Sequence, residues 1–142
     1  MTFELIFSNS VLSTDYASLA LRILVAIVFL VHGWPKIKNL KMTAGFIGSL
    51  GFKPAIFWAL ALSIAEFFGA LAILAGFYLR IAVIPLIFSM LVASYLKIFV
   101  WKSGFASDKE NPSGYELDLL LIACLVSLFF LGAGTFSIAA LF

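Results

Sequence analysis

Three long apolar runs and a shorter fourth, with ionisable side chains set inside them, constrain this chain more than any other feature. Arg22 lies in the first run, Glu66 near the middle of the second, Lys97 late in the third and Glu116 at the start of the fourth. A charge at mid-bilayer costs roughly 2.5–3.5 kcal/mol even on lenient insertion scales, so such residues mark places where a function would live. Of the 142 residues, 64% are hydrophobic and 11% charged. A soluble domain carries about 25% charged residues. Water is therefore not the solvent expected around most of this surface. The composition predicts a single all-α, polytopic membrane domain over residues 1–142, with almost no mass left for a separate catalytic module.

The basic residues are unevenly placed. Lys36, Lys38, Lys41 and Lys53 fall between the first two runs, and Lys97, Lys102 and Lys109 at or after the end of the third, against only Arg22 and Arg80 on the other side. Lysine-rich short loops stay in the cytoplasm, which predicts both of these loops inside and both termini outside. No basic residue precedes Arg22 and no small-residue cleavage site follows, so the first run is expected to be a retained span rather than a signal peptide. Cys124 is the single cysteine, so the chain cannot cycle a dithiol alone.

Read along the chain, residues 1–12, with Phe3, Leu5, Ile6, Phe7 and Leu12, are too few to span and are expected at the interface. Ser13, Thr14 and Asp15 offer N-caps, and Tyr16 suits the headgroup level. The spans are predicted at about 17–34, 55–76, 79–101 and 115–132, giving a four-helix bundle. Pro35 is expected to help end the first span, Pro54 to sit in the first turn of the second, and Pro85 to kink the third. Between the first two spans, Thr43 to Leu50 reads as a short amphipathic helix on the membrane surface, with Phe46, Ile47 and Leu50 on one side and Gly51 stopping it. Residues 102–114 form a polar loop.

Helical spacing sorts the polar residues onto faces. Ser63, Glu66, Ala70 and Ile73 share one stripe beside Gly69; Arg22, Ala26, Phe29 and Gly33 share another with His32 at its margin. Met90, Ala93, Ser94, Lys97 and Trp101 form a third, and Glu116, Ala123 and Ser127, flanked by Cys124, a fourth. Small residues let helices approach closely in lipid, so these faces are expected to meet around an inward cavity holding Arg22, His32, Glu66, Lys97 and Glu116. Glu66 would pair with Arg22 or with cations of the cytoplasmic side, or else be protonated. The plainer alternatives are snorkelling for Arg22 and Lys97, an interfacial place for His32, and packing for Cys124. Asp118 reads as a solvated end-of-span charge, and Lys36, Lys38 and Lys41 as a lipid-facing patch. One histidine and one cysteine do not make a metal or haem site, and none is expected.

Several short patterns resemble the DoxX family of small four-span membrane proteins. They are Arg22 followed by His32-Gly33-x-x-Lys36; Glu66-x-x-Gly69 with Gly76 and Arg80; Gly114-Tyr115-Glu116-Leu117; and Gly132-Ala133-Gly134 with Ser137. They follow the family's order over about residues 17–138. The acidic residue usual shortly after the final serine is absent, since Ser137-Ile138-Ala139 stands there. The resemblance implies a bacterial or archaeal plasma-membrane protein; some relatives are subunits of thiosulfate:quinone oxidoreductase, others associate with thiol and oxidative-stress proteins. It singles out Gly33, Lys36, Gly69, Tyr115, Gly132 and Gly134 as motif residues.

Three functions follow as expectations. The first is an accessory subunit of a quinone-linked sulphur or thiol redox complex, not an enzyme by itself, with quinone as the one possible cofactor and a partner protein carrying the redox centre. The second is a transporter-like or lipid-binding protein, which with four spans needs a homodimer. The third is a structural anchor. No nucleic-acid partner is expected.

Overall fold

The computed structural model describes residues 10–109, 112 and 114–141. The interfacial placement expected for Phe3, Leu5, Ile6 and Phe7 lies outside the described residues, whereas Leu12 and Ser13 fall within the first helix, so that Ser13 does not cap its start. The described chain forms α1 (Ser10–Lys38), α2 (Leu40–Ser49), α3 (Ala55–Ala75) and α4 (Leu79–Tyr95). A π turn (Leu96–Val100) continues α4, and α5 (Glu116–Leu131) and a final 3-10 turn (Ile138–Leu141) complete it. Among the described residues there is no strand. Helices α1, α3, α4 and α5 pack in a ring, each touching its neighbours, and α2 lies against α3 outside it.

Three helical stretches, Thr14–Lys38, Ala55–Ala75 and Leu79–Val100, are long and apolar enough to cross a membrane. Helix α5 has 16 residues, about 24 Å at 1.5 Å per residue, against a hydrocarbon core of roughly 30 Å. The outward faces are apolar: Phe88 is 65% exposed and Phe130 76%. Such a surface suits acyl chains. The core holds Val25, Phe29, Ile73, Val83, Leu86, Leu125 and Leu128, all buried between the four ring helices.

The stripes on α1 and α3 are the packed ones. Arg22, Ala26, Phe29 and Gly33 are buried, as are Ser63, Glu66, Ala70 and Ile73. At Gly33 the two helices come so close that an added Cβ would stand 3.2 Å from the Phe67 amide nitrogen and 3.3 Å from the Glu66 Cβ. Glycine is needed there because a backbone cannot yield as a side-chain tip can. Gly33→Val is expected to lose about 1–3 kcal/mol by overpacking, read as a lower denaturation midpoint in detergent. An unchanged midpoint would mean that the helices separate freely.

Three expectations are corrected. Helix α1 does not end at Trp34 but runs through Pro35 to Lys38. A proline so near the C-terminus forfeits one bond to the preceding turn, while its own carbonyl still accepts from Asn39 N–H at 3.0 Å. Thr14 and Asp15 lie within α1 and so do not begin it. On α5 the buried face is Asp118, Leu121, Leu125 and Leu128, while Ala123 and Ser127 are exposed. Large leucines fill the space beside α4, and the small-residue stripe has no helix to approach. Cys124 is half-buried against the core. Helix α4 continues through Pro85, and the π turn follows it at Leu96–Val100.

Candidate functional site

The ionisable residues separate into two ends of the bundle. At the arginine end, Arg22 is 1% exposed, yet no carboxylate pairs with it among the described residues. Its Nε donates to the Ile73 carbonyl at 2.8 Å and one terminal nitrogen to Ala133 and Phe136 carbonyls at 2.9 and 2.8 Å. The other terminal nitrogen donates to the Leu74 carbonyl. Arg22 thus caps α3, whose last carbonyls carry the negative end of the helix dipole, and pins the segment after α5 to it. Ser18 Oγ donates to the Gly132 carbonyl and Thr135 Oγ1 to Asp15 Oδ2, both at 2.6 Å, continuing the clasp along the same face of α1. Gly76 ends α3 at φ +70°, and a Cβ there would run into Ser137 and the Arg22 guanidinium. This end is a structural clasp.

At the lysine-rich end a groove of about 480 Å³ opens between α2, α3, α4 and the π turn. Its walls are apolar and aromatic, with Phe46, Trp58, Phe88 and Trp101 prominent. Four polar side chains reach it: Lys36, Glu66, Ser89 and Lys97. Glu66 is 1% exposed. Lys36 Nζ stands 2.5 Å from its Oε2, and Ser89 Oγ donates to Oε1 at 2.9 Å. Lys36 therefore leaves the lipid-facing patch expected of it. Once α1 continues past Pro35, Lys36 extends the stripe through Phe29 and Gly33 and points at α3. Thr43 Oγ1 makes a long bond of 3.3 Å to the Lys36 carbonyl, tying α2 to this point.

Lys97, on the π turn, donates from Nζ to Asp118 Oδ1 at 2.8 Å and to the Gly114 carbonyl at 3.3 Å. Asp118 is thus not a solvated end charge. It is 5% exposed, and its pairing across to α4 draws it inward. The Asp118 Oδ2 and Ser94 Oγ atoms are buried without a hydrogen-bond partner.

The five residues expected to share one cavity are therefore dispersed. Glu66 and Lys97 line the groove; Arg22 belongs to the clasp at the other end. His32 is exposed on the outside of α1, beside Val31. Glu116 is half-buried and accepts from the Ser107 N–H at 3.0 Å, holding the 105–116 loop. Of the motif glycines, Gly69 faces Leu86 at ordinary contact distance, and Gly132 and Gly134 adopt positive φ in the clasp. The Tyr115 ring meets Phe105 edge-on at 5.4 Å. A second hollow of about 540 Å³, beside Phe77, Tyr78 and Gly132, offers only the exposed Arg80 as a charged group. Convergent polar groups in an apolar recess single out the first. Lys36 is one of the cytoplasmic-side cations open to Glu66 in the sequence, and Asp118 is the site residue that the sequence left among solvated charges, although both continue stripes of three- and four-residue spacing.

The fold and the groove define a helical membrane protein with a polar-floored recess at one end of its bundle. The DoxX family model matches residues 17–100, more than half of the chain, and the chain belongs to the DoxX family. No curated protein and no solved structure matches it.

Proposed function

We propose that this chain is an accessory membrane subunit that holds a quinone in the groove for a sulphur or thiol redox partner. The observation that carries the reading is the Lys36–Glu66–Ser89 constellation on the groove's wall. Each lysine of the groove already faces a buried carboxylate, so the site offers no net positive charge to an anionic headgroup. It offers hydrogen bonds instead. An ammonium has three donors and Lys36 uses one on Glu66, leaving others for a carbonyl oxygen. The aromatic walls suit a flat ring and an isoprenoid tail, and the volume lies in the range of roughly 300–1,000 Å³ usual for small-molecule sites. One cysteine and one histidine in the whole sequence favour a partner as the source of electrons. In this reading α5 is a fourth span in the plasma membrane, α2 lies at its surface, the lysine-rich end faces the cytoplasm and the termini face outside.

Trp58 and Trp101 line the groove, so a bound quinone will quench their fluorescence. Decylubiquinone added to the protein in nanodiscs is expected to quench saturably, and Lys36→Met to weaken the affinity about tenfold, one charge-assisted hydrogen bond at about 1.4 kcal/mol. Quenching that never saturates, or that Lys36→Met leaves unchanged, removes the quinone assignment. Displacement of the quinone by an uncharged diacylglycerol at equal affinity would favour a lipid-binding role instead.

A further inference from the structure

Glu66 lines the groove with both carboxylate oxygens engaged, and Glu116 is turned toward the loop backbone. In Asp118 one oxygen holds the Lys97 ammonium, whose side chain also lines the groove, and the other has no protein partner. Ser94 Oγ, one turn before Lys97 on the same helix, is likewise buried and unpartnered, at 6% exposure. Two such atoms are costly in an apolar setting, and buried polar groups of this kind are ordinarily met by internal water. The π turn lies at this place, and such turns often accompany functional sites. A metal cation is disfavoured, because the Lys97 ammonium already occupies the carboxylate.

We infer that Lys97, Asp118 and Ser94 with bound water form the route by which protons reach a quinone in the groove. The inference rests on the quinone reading above. In the step, the partner's sulphur centre supplies two electrons to the quinone. A quinone oxygen takes a proton from the Lys97 ammonium, and the amine regains one from the bulk phase, relayed through water held at Asp118; the second proton takes the same path, so that quinone, two electrons and two protons give quinol. Asp118 is a proton-delivery residue and does not touch the ring.

The test uses nanodisc-embedded protein with decylubiquinone, photoreduced by a ruthenium polypyridyl complex with a sacrificial donor, while a pH dye follows proton uptake. Asp118→Asn is expected to slow uptake at least tenfold, with affinity from tryptophan quenching within twofold of the parent. Asp118→Glu should restore the rate, and Ser94→Ala slow it severalfold. The double variant Lys97→Met/Asp118→Leu, which strands no charge, should be as slow as Asp118→Asn and answers for it if that protein does not fold. Parental uptake rates in these variants overturn the proton route and leave the quinone reading standing. Absence of quenching in the parent overturns both.

Discussion

Replacing Arg22 by leucine is expected to deprive the membrane of folded protein. Four carbonyl oxygens, those of Ile73, Leu74, Ala133 and Phe136, accept from this one guanidinium, and that of Ile73 accepts from the Gly76 N–H as well. Hydrogen bonds to a charged group contribute roughly 1.5–3 kcal/mol each, and an acceptor left buried costs its full desolvation. Even with strong non-additivity, the loss should exceed about 4 kcal/mol, against a total stability of roughly 5–15 kcal/mol for a typical domain. Arg22→Lys should recover only part of this, because an ammonium has three donors and cannot span acceptors on two chain segments in one plane. Monodisperse recovery after detergent extraction and the denaturation midpoint measure the effect. An Arg22→Leu protein as stable as the parent would show that water reaches those carbonyls and that the clasp is dispensable.

The Lys36–Glu66 pair should behave asymmetrically. Glu66 is buried and Lys36 keeps about a third of its side chain exposed, 1% against 34%. Lys36→Met strands the carboxylate and is expected to lose about 3 kcal/mol, the low end of the range for breaking a buried pair because one partner stays near solvent. Lys36→Met/Glu66→Met removes the charge with its counter-charge and should regain most of that loss. Denaturation midpoints of the two variants suffice to compare them. A double variant less stable than Lys36→Met alone would mean that the stranded Glu66 carboxylate is satisfied without Lys36, through Ser89 and water.

The packed faces of α1 and α3 were legible from spacing. Arg22, Ala26, Phe29 and Gly33 on one helix, and Ser63, Glu66, Ala70 and Ile73 on the other, are small or polar residues at three- and four-residue intervals, a pattern that only helix-on-helix contact explains. Pro35 obscured Lys36, because the stop it signals is a tendency and the residues after it still belonged to the stripe. On α5 the small residues drew attention from Asp118, Leu121, Leu125 and Leu128, which repeat at the same intervals and fill the core. Asp118 looked solvated because its partner, Lys97, is twenty-one residues away on another helix.

Hydropathy and helical period are local properties, so a membrane-embedded helical chain and the packed faces of α1 and α3 could be read one segment at a time. Partners are not local. Arg22 is satisfied by backbone carbonyls, which carry no mark in the sequence, and Glu66 could have met Arg22 or a lysine with equal electrostatic reason. Only the packing of α1 against α3, with the segment after α5 folded back over α1, gave Arg22 its carbonyls and Glu66 its lysine. A guanidinium reaches whatever acceptors the chain brings within about 3 Å, and that is decided by tertiary contact.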